Sequence, residues 1–192
     1  MEKKNLIILA SLFFLLIVLV VIYFNLGGER RPKPVQLIPS SQEDAGSEGQ
    51  VQLVTVVLFF ASEQDSLLHR EEREIIASSS VEDQVRSIVL ELLKGSQKEY
   101  VSSIPPETRV REVFVTKDGV AYVDFSREIT DNHLSGSSAE ISTIYSIVNS
   151  LTYNIKSIKK VFILVDGGEK KTLGGHIDLT QPFLPLYDLV SK

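Results

Sequence analysis

Asp124, Ser126 and His133 are the side-chain types of a hydrolase: an acid and a hydroxyl two residues apart, with an imidazole seven further on. A serine nucleophile needs a strained turn, a histidine base in hydrogen-bond reach and donors for the oxyanion. No G-x-S-x-G surrounds Ser126, and no glycine flanks it. Asp and Ser at the end of an apolar run readily accept hydrogen bonds from nearby backbone N–H groups. Gly119 to Ser126 (GVAYVDFS) therefore reads as a strand with a polar end, and no catalytic residue is expected.

The other chemistry-bearing residues are dispersed. His69, His133 and His176 are the only histidines and lie far apart in the chain. Asp131-x-His133 and His176-x-Asp178 are too sparse for a zinc site, so no metal or cofactor is expected. Gly167-Gly168 and Gly174-Gly175 form neither a dinucleotide fingerprint nor a Walker loop and read as turns. Arg70-Glu71-Glu72-Arg73-Glu74 reads as a solvated face whose internal ion pairs each contribute little.

Elements that must position these residues follow from periodicity. Gln52 to Ala61 is a β-branched and aromatic run, hence a largely buried strand; the charges of Leu67 to Ile76 suit an exposed edge strand or a helix, and the edge strand is favoured. Ser80 opens a helix with Asp83 as its capping partner, and Val81, Val85, Ile88, Val89, Leu92 and Leu93 make one apolar stripe. Gly95 is expected to end it in a left-handed cap. Between Arg109 and Phe125 a hairpin turns at Lys117-Asp118-Gly119. Pairing Val113 with Val123 and Val115 with Ala121 puts Val113, Val115, Ala121, Val123 and Phe125 on one face, the only register with a clean core face. A second helix begins near Ser137, with Glu140 completing a capping box and Ile141, Ile144, Tyr145, Val148 and Leu151 buried. Lys160 to Val165 is a further buried strand, and the tail Leu173 to Tyr187 is expected to wrap the domain edge. The fold class is α+β: a mixed sheet of about four to five strands with two helices packed on one face.

The chain has 192 residues and a formal net charge of −5, from 20 Lys+Arg against 25 Asp+Glu. Its pI near 5.3 and lack of a basic patch give no attraction for nucleic acid. There is no cysteine, which excludes disulfides, cysteine-based zinc sites, thiol nucleophiles and a lipidated cysteine anchor. Leu6 to Phe24 (LIILASLFFLLIVLVVIYF) carries no charge, and a helix of that length spans roughly 28 Å, close to a bilayer core. Secretory signals have apolar regions of only about 7–15 residues, so this run reads as an uncleaved anchor. Residues 1–5 are then a cytoplasmic tail, 6–24 a transmembrane signal anchor, 25–50 a flexible Pro/Ser/Gly linker and 51–192 a single domain. As a coil the linker has an end-to-end distance of roughly 27 Å. Lys3 and Lys4 oppose Arg30, Arg31 and Lys33, so the positive-inside rule barely discriminates, and the very short first tail favours the domain outside.

Several motifs in order resemble the GerMN domain family, named for a sporulation and spore germination protein. They are Val57-Leu58-Phe59-Phe60, Leu68 through Arg73, Leu92-Leu93-Lys94-Gly95, Ile104-Pro105-Pro106 and Asp118 through Ser126. Glu140 through Thr152, Val165-Asp166-Gly167 and Leu173-Gly174-Gly175-His176-Ile177-Asp178 with Pro182 complete the set, over about residues 51–185. The resemblance implies a single-copy, extracytoplasmic α+β module with no catalytic residues to carry over. The expected function is a membrane-tethered interaction or scaffold module of the bacterial cell envelope. It would be held single-pass in the cytoplasmic membrane, docking an envelope protein or assembling with itself. Binding of peptidoglycan or another wall polymer is the alternative, with Tyr100, Tyr122 and Tyr187 as candidate contacts. A hydrolase is the least supported reading.

Overall fold

In the computed structural model, which describes residues 51–192, the run Leu53–Ala61 forms β1 and pairs antiparallel with β2, Leu68–Ile76. The anchor expected over 6–24 and the linker over 25–50 lie outside the described residues. No described helix is long and apolar enough to cross a membrane. Val56, Leu58 and Phe60 of β1 enter the main core, whereas Phe59 enters a smaller cluster with Leu68 and Val190. β1 is thus buried on both faces over its second half, as its unbroken apolar run requires.

Helix α1, Val81–Leu93, starts as expected: Ser80 is its N-cap and its side chain accepts from the Asp83 N–H at 3.0 Å. Val85, Ile88, Val89 and Leu92 are buried, each contributing about 1.5–3 kcal/mol by leaving water. Gly95 follows at φ +79°. The hairpin β3 (Val110–Val115) and β4 (Val120–Phe125) takes the expected register, Val113 opposite Val123 and Val115 opposite Ala121. Gly119 holds φ +87°, and a Cβ there would lie 2.4 Å from the Ser157 carbonyl oxygen, so both conformation and space call for glycine. After a short helix α2, Glu128–Asp131, helix α3, Ser137–Asn154, crosses over to β5, Lys160–Val165, which pairs parallel with β4. The tail closes the far side: Phe183 exchanges backbone hydrogen bonds with Val161, and Tyr187–Leu189 forms a 3₁₀ turn.

One expectation is corrected. The strands form two sheets, β1–β2 and β3–β4–β5, and not one mixed sheet. The reason lies in α3. Ser146, Ser150 and Asn154, spaced four apart, line up along one side of the helix. Ser150 Oγ accepts from the Phe59 N–H at 3.1 Å, and Ser146 donates to the Phe59 carbonyl. Asn154 accepts from the Val57 N–H at 2.9 Å and donates to its carbonyl at 2.7 Å. The edge of β1 that would continue the sheet is occupied by helix side chains, which satisfy its backbone groups as a strand would.

Candidate interaction surfaces

The hydrogen bonds of Asp124, Ser126 and His133 lead away from one another. Asp124 Oδ1 accepts from the Gly167 N–H at 2.9 Å and Ser126 Oγ from the Arg109 N–H at 2.9 Å. The His133 ring lies 2.7 Å from the Leu134 carbonyl and 3.0 Å from the Thr143 hydroxyl. Asp124 and Ser126 accept backbone N–H groups at the end of β4, but from loops 43 and 17 residues away and not from the local turns expected of them. The other histidines are equally engaged: His69 contacts Asp65 at 2.9 Å, and His176 Nδ1 contacts Glu140 at 2.7 Å. Asp178 accepts from Thr180, and Asp131 lies 3.7 Å from Arg127. Among the described residues no three His, Asp or Glu side chains converge as a metal site would need.

Two buried carboxylates correct the sequence reading. Glu71 and Arg73, expected on a solvated face, are only 2% and 6% exposed. Alternation along β2 turns them inward while Arg70, Glu72 and Glu74 stay exposed. Arg73 Nε donates to Glu71 Oε1 at 2.7 Å, and the guanidinium reaches the Gly95 carbonyl at 2.8 Å and Glu91 at 3.4 Å. Burial pushes the Glu71 carboxyl up, but the Ser96 hydroxyl, the Gln97 N–H and Arg73 outweigh it and hold it below the usual carboxylate value. This cluster fastens the C-terminal end of α1 to β2.

Glu140, expected to complete a capping box, is fully buried instead, and the N-cap of α3 is Gly136, with no side-chain cap bond. Its oxygens accept from the His176 N–H at 2.9 Å and the Ile177 N–H at 3.1 Å. Burial raises its proton affinity, but the Ile177 N–H, the His176 ring and the Gly174 N–H overcome that and lower it. Glu140 thereby clamps the turn 174–177 that begins the C-terminal wrap.

Two surfaces remain unsatisfied. On the outer face of β3–β4–β5, Phe114, Tyr122 and Phe162 stand in one row across the three strands. Their rings are 6.3 and 5.2 Å apart, and Phe114 is 61% exposed. Leu184, next to the inward-facing Phe183, is 59% exposed and by alternation joins this face. The second surface is a cleft of about 730 Å³ between the end of β2, helix α1 and the segment entering β3. Exposed Leu53, Ile76 and Leu90 line it, with Glu74 and Arg109 among the charged residues there.

Residues 57–171 match the family model Germane, described as sporulation and spore germination, and that span is more than half of the chain. The chain belongs to that family. No curated protein matches it. Among solved structures this Germane chain is similar to a candidate lipoprotein from Clostridium perfringens, at 25% identity and TM-score 0.50, covering 70% of this chain and 89% of that one. It also resembles the tandem GerMN domains of the sporulation protein GerM from Bacillus subtilis, at 22% identity and TM-score 0.53. That match covers 71% of this chain and 48% of the tandem chain, and it shows the fold. Of the tyrosines named from sequence, Tyr122 belongs to the aromatic row of the Germane domain. Tyr100 stacks on His69 with centroids 4.9 Å apart, and Tyr187 contacts the Thr152 hydroxyl at 3.0 Å.

Proposed function

We propose that this chain is a non-catalytic interaction module of the bacterial cell envelope, tethered single-pass in the cytoplasmic membrane with its domain outside. It docks an envelope protein or a second copy of itself. The observation that carries this reading is the aromatic row, where Phe114 at the β3 end is 61% exposed while Phe162 at the β5 end is buried. An apolar ring of that size gains about 1.5–3 kcal/mol on burial, and aromatic anchors of this kind dominate protein interfaces. Family membership supports the setting, as does the likeness to a candidate lipoprotein. This sequence has no cysteine to lipidate, and the uncharged run 6–24 takes the anchoring role here. A photoactivatable phenylalanine analogue at position 114 of the full chain in living cells tests the docking. A discrete protein adduct, absent when the analogue replaces exposed Lys171, is expected; equal labelling from both positions contradicts the reading.

A second reading, binding of peptidoglycan or another wall polymer, is favoured by the same row, because Phe114 and Tyr122 offer aromatic faces to a sugar ring. Co-sedimentation with purified sacculi decides it: retention lost in Phe114→Ala supports the polymer, and no retention above control removes it.

A further inference from the structure

The edges of the strands are treated unequally. The outer edge of β1 is taken by Ser146, Ser150 and Asn154, and the outer edge of β5 by Phe183. In an antiparallel ladder the N–H and C=O of one residue point to the same side, and sides alternate along the strand. Val57 and Phe59 face α3, so Val56, Leu58 and Phe60 face β2, where they pair with Arg73, Glu71 and His69. The backbone groups of Arg70, Glu72 and Glu74 therefore point off the opposite edge of β2. There the C-terminal segment reaches only as far as Leu68, whose carbonyl accepts from the Ser191 N–H at 2.9 Å. No described residue bonds the backbone of Arg70, Glu72 or Glu74 beyond the strand pair.

The apolar cleft adjoins the same stretch, since Glu74, Ile75 and Ile76 form one of its walls and Leu90 and Leu93 of α1 another. A strand edge with unpaired backbone groups beside an apolar cleft under a helix is the arrangement that takes up an extended peptide as an added strand. Side chains of the added strand alternate between the two faces. Those opposite Glu72 and Glu74 lie on the solvent face against two exposed carboxylates, where opposite charge is favoured. Those between them turn toward α1 and the cleft, where apolar side chains cover Leu90, which is 44% exposed.

Resting on the docking role given above, we propose that β2 and α1 form a peptide-binding groove. Its ligand is an extended segment of a partner protein with basic residues two apart and an apolar residue between them. The aromatic row on the other sheet is a separate contact.

The test measures binding of fluorescent synthetic peptides to the full chain in lipid nanodiscs. The probes are a lysine–valine alternating hexapeptide, its glutamate–valine counterpart and a lysine–valine version N-methylated on alternate amides. The lysine peptide is expected to bind at least about tenfold more tightly than the glutamate peptide, from two cross-strand pairs changed from attraction to repulsion. N-methylation is expected to cost a further factor of about ten by removing backbone donors. The double variant Glu72→Lys/Glu74→Lys, with an unchanged circular dichroism spectrum, reverses the charge preference, and Leu90→Glu weakens both peptides. Binding by none of the peptides, or binding indifferent to N-methylation, overturns the groove. So does an outcome in which these variants change only the chain's oligomeric size, which makes the edge a contact between copies. A failed peptide test with a surviving adduct at position 114 removes the groove and leaves the docking role standing.

Discussion

In the β3–β4–β5 sheet the buried polar residues sit at a strand end, where Asp124 and Ser126 gather backbone N–H groups from Gly167 and Arg109. In the β1–β2 sheet they sit mid-strand, where Glu71 and Arg73 lie inward against α1. The first sheet keeps a continuous apolar inner face and leaves Phe114 bare at one end of its outer aromatic row. The second gives part of its inner face to an ion pair and leaves an edge bare. A strand-end polar group can be satisfied by the loop beside it, whereas a mid-strand pair needs partners brought by another element. The first is tolerant of change and the second is not.

The most damaging way to probe that contrast is Arg73→Ala, which strands the Glu71 carboxylate beneath α1. It is expected to cost about 3–5 kcal/mol in urea unfolding. A loss under about 1 kcal/mol would place the pair in solvent after all. Next comes Glu140→Gln, expected to cost about 3 kcal/mol by weakening charge-assisted bonds to the 174–177 turn. Because folding lowers the Glu140 proton affinity, its contribution is present above the unfolded carboxylate value and lost as pH falls through the folded one. Glu71 is shifted in the same direction. Unfolding followed between about pH 5 and 3 should therefore show wild-type stability falling on acidification, with a shallower slope in Glu140→Gln. Gly119→Ala meets both a left-handed backbone and the Ser157 carbonyl, and should cost about 2 kcal/mol by thermal unfolding. Ser126→Ala, at a strand end, should cost only about 1 kcal/mol.

How legible this was depended on where a residue's partners lie. The hairpin register could be read because Val113, Val123 and Ala121 are close in sequence and only one alignment gives a clean face. The α1 cap could be read because Ser80 and Asp83 are three residues apart. The burial of Glu71 is not legible locally because, besides Arg73, its donors Ser96 and Gln97 lie 25 and 26 residues on. Glu140 was misread because its partners lie 36 and 37 residues on, while a capping box fits the local pattern equally well. The split into two sheets did have a local signal. Ser146, Ser150 and Asn154 recur every fourth residue beside the buried stripe of Ile144, Ile147, Val148 and Leu151, and buried polar side chains of that kind need hydrogen-bond partners. Helix α2 had no comparable periodicity, being only four residues long.

Helix side chains close the outer edge of β1 and Phe183 that of β5, whereas the β2 edge from Arg70 to Glu74 stays open. Residue-resolved amide hydrogen exchange of the full chain tests that difference most directly. Val57 and Phe59, held by helix side chains, should exchange as slowly as Leu58 in the ladder, while Arg70, Glu72 and Glu74 exchange rapidly between protected Glu71 and Arg73. Uniform protection along β2 in the chain alone would contradict the account.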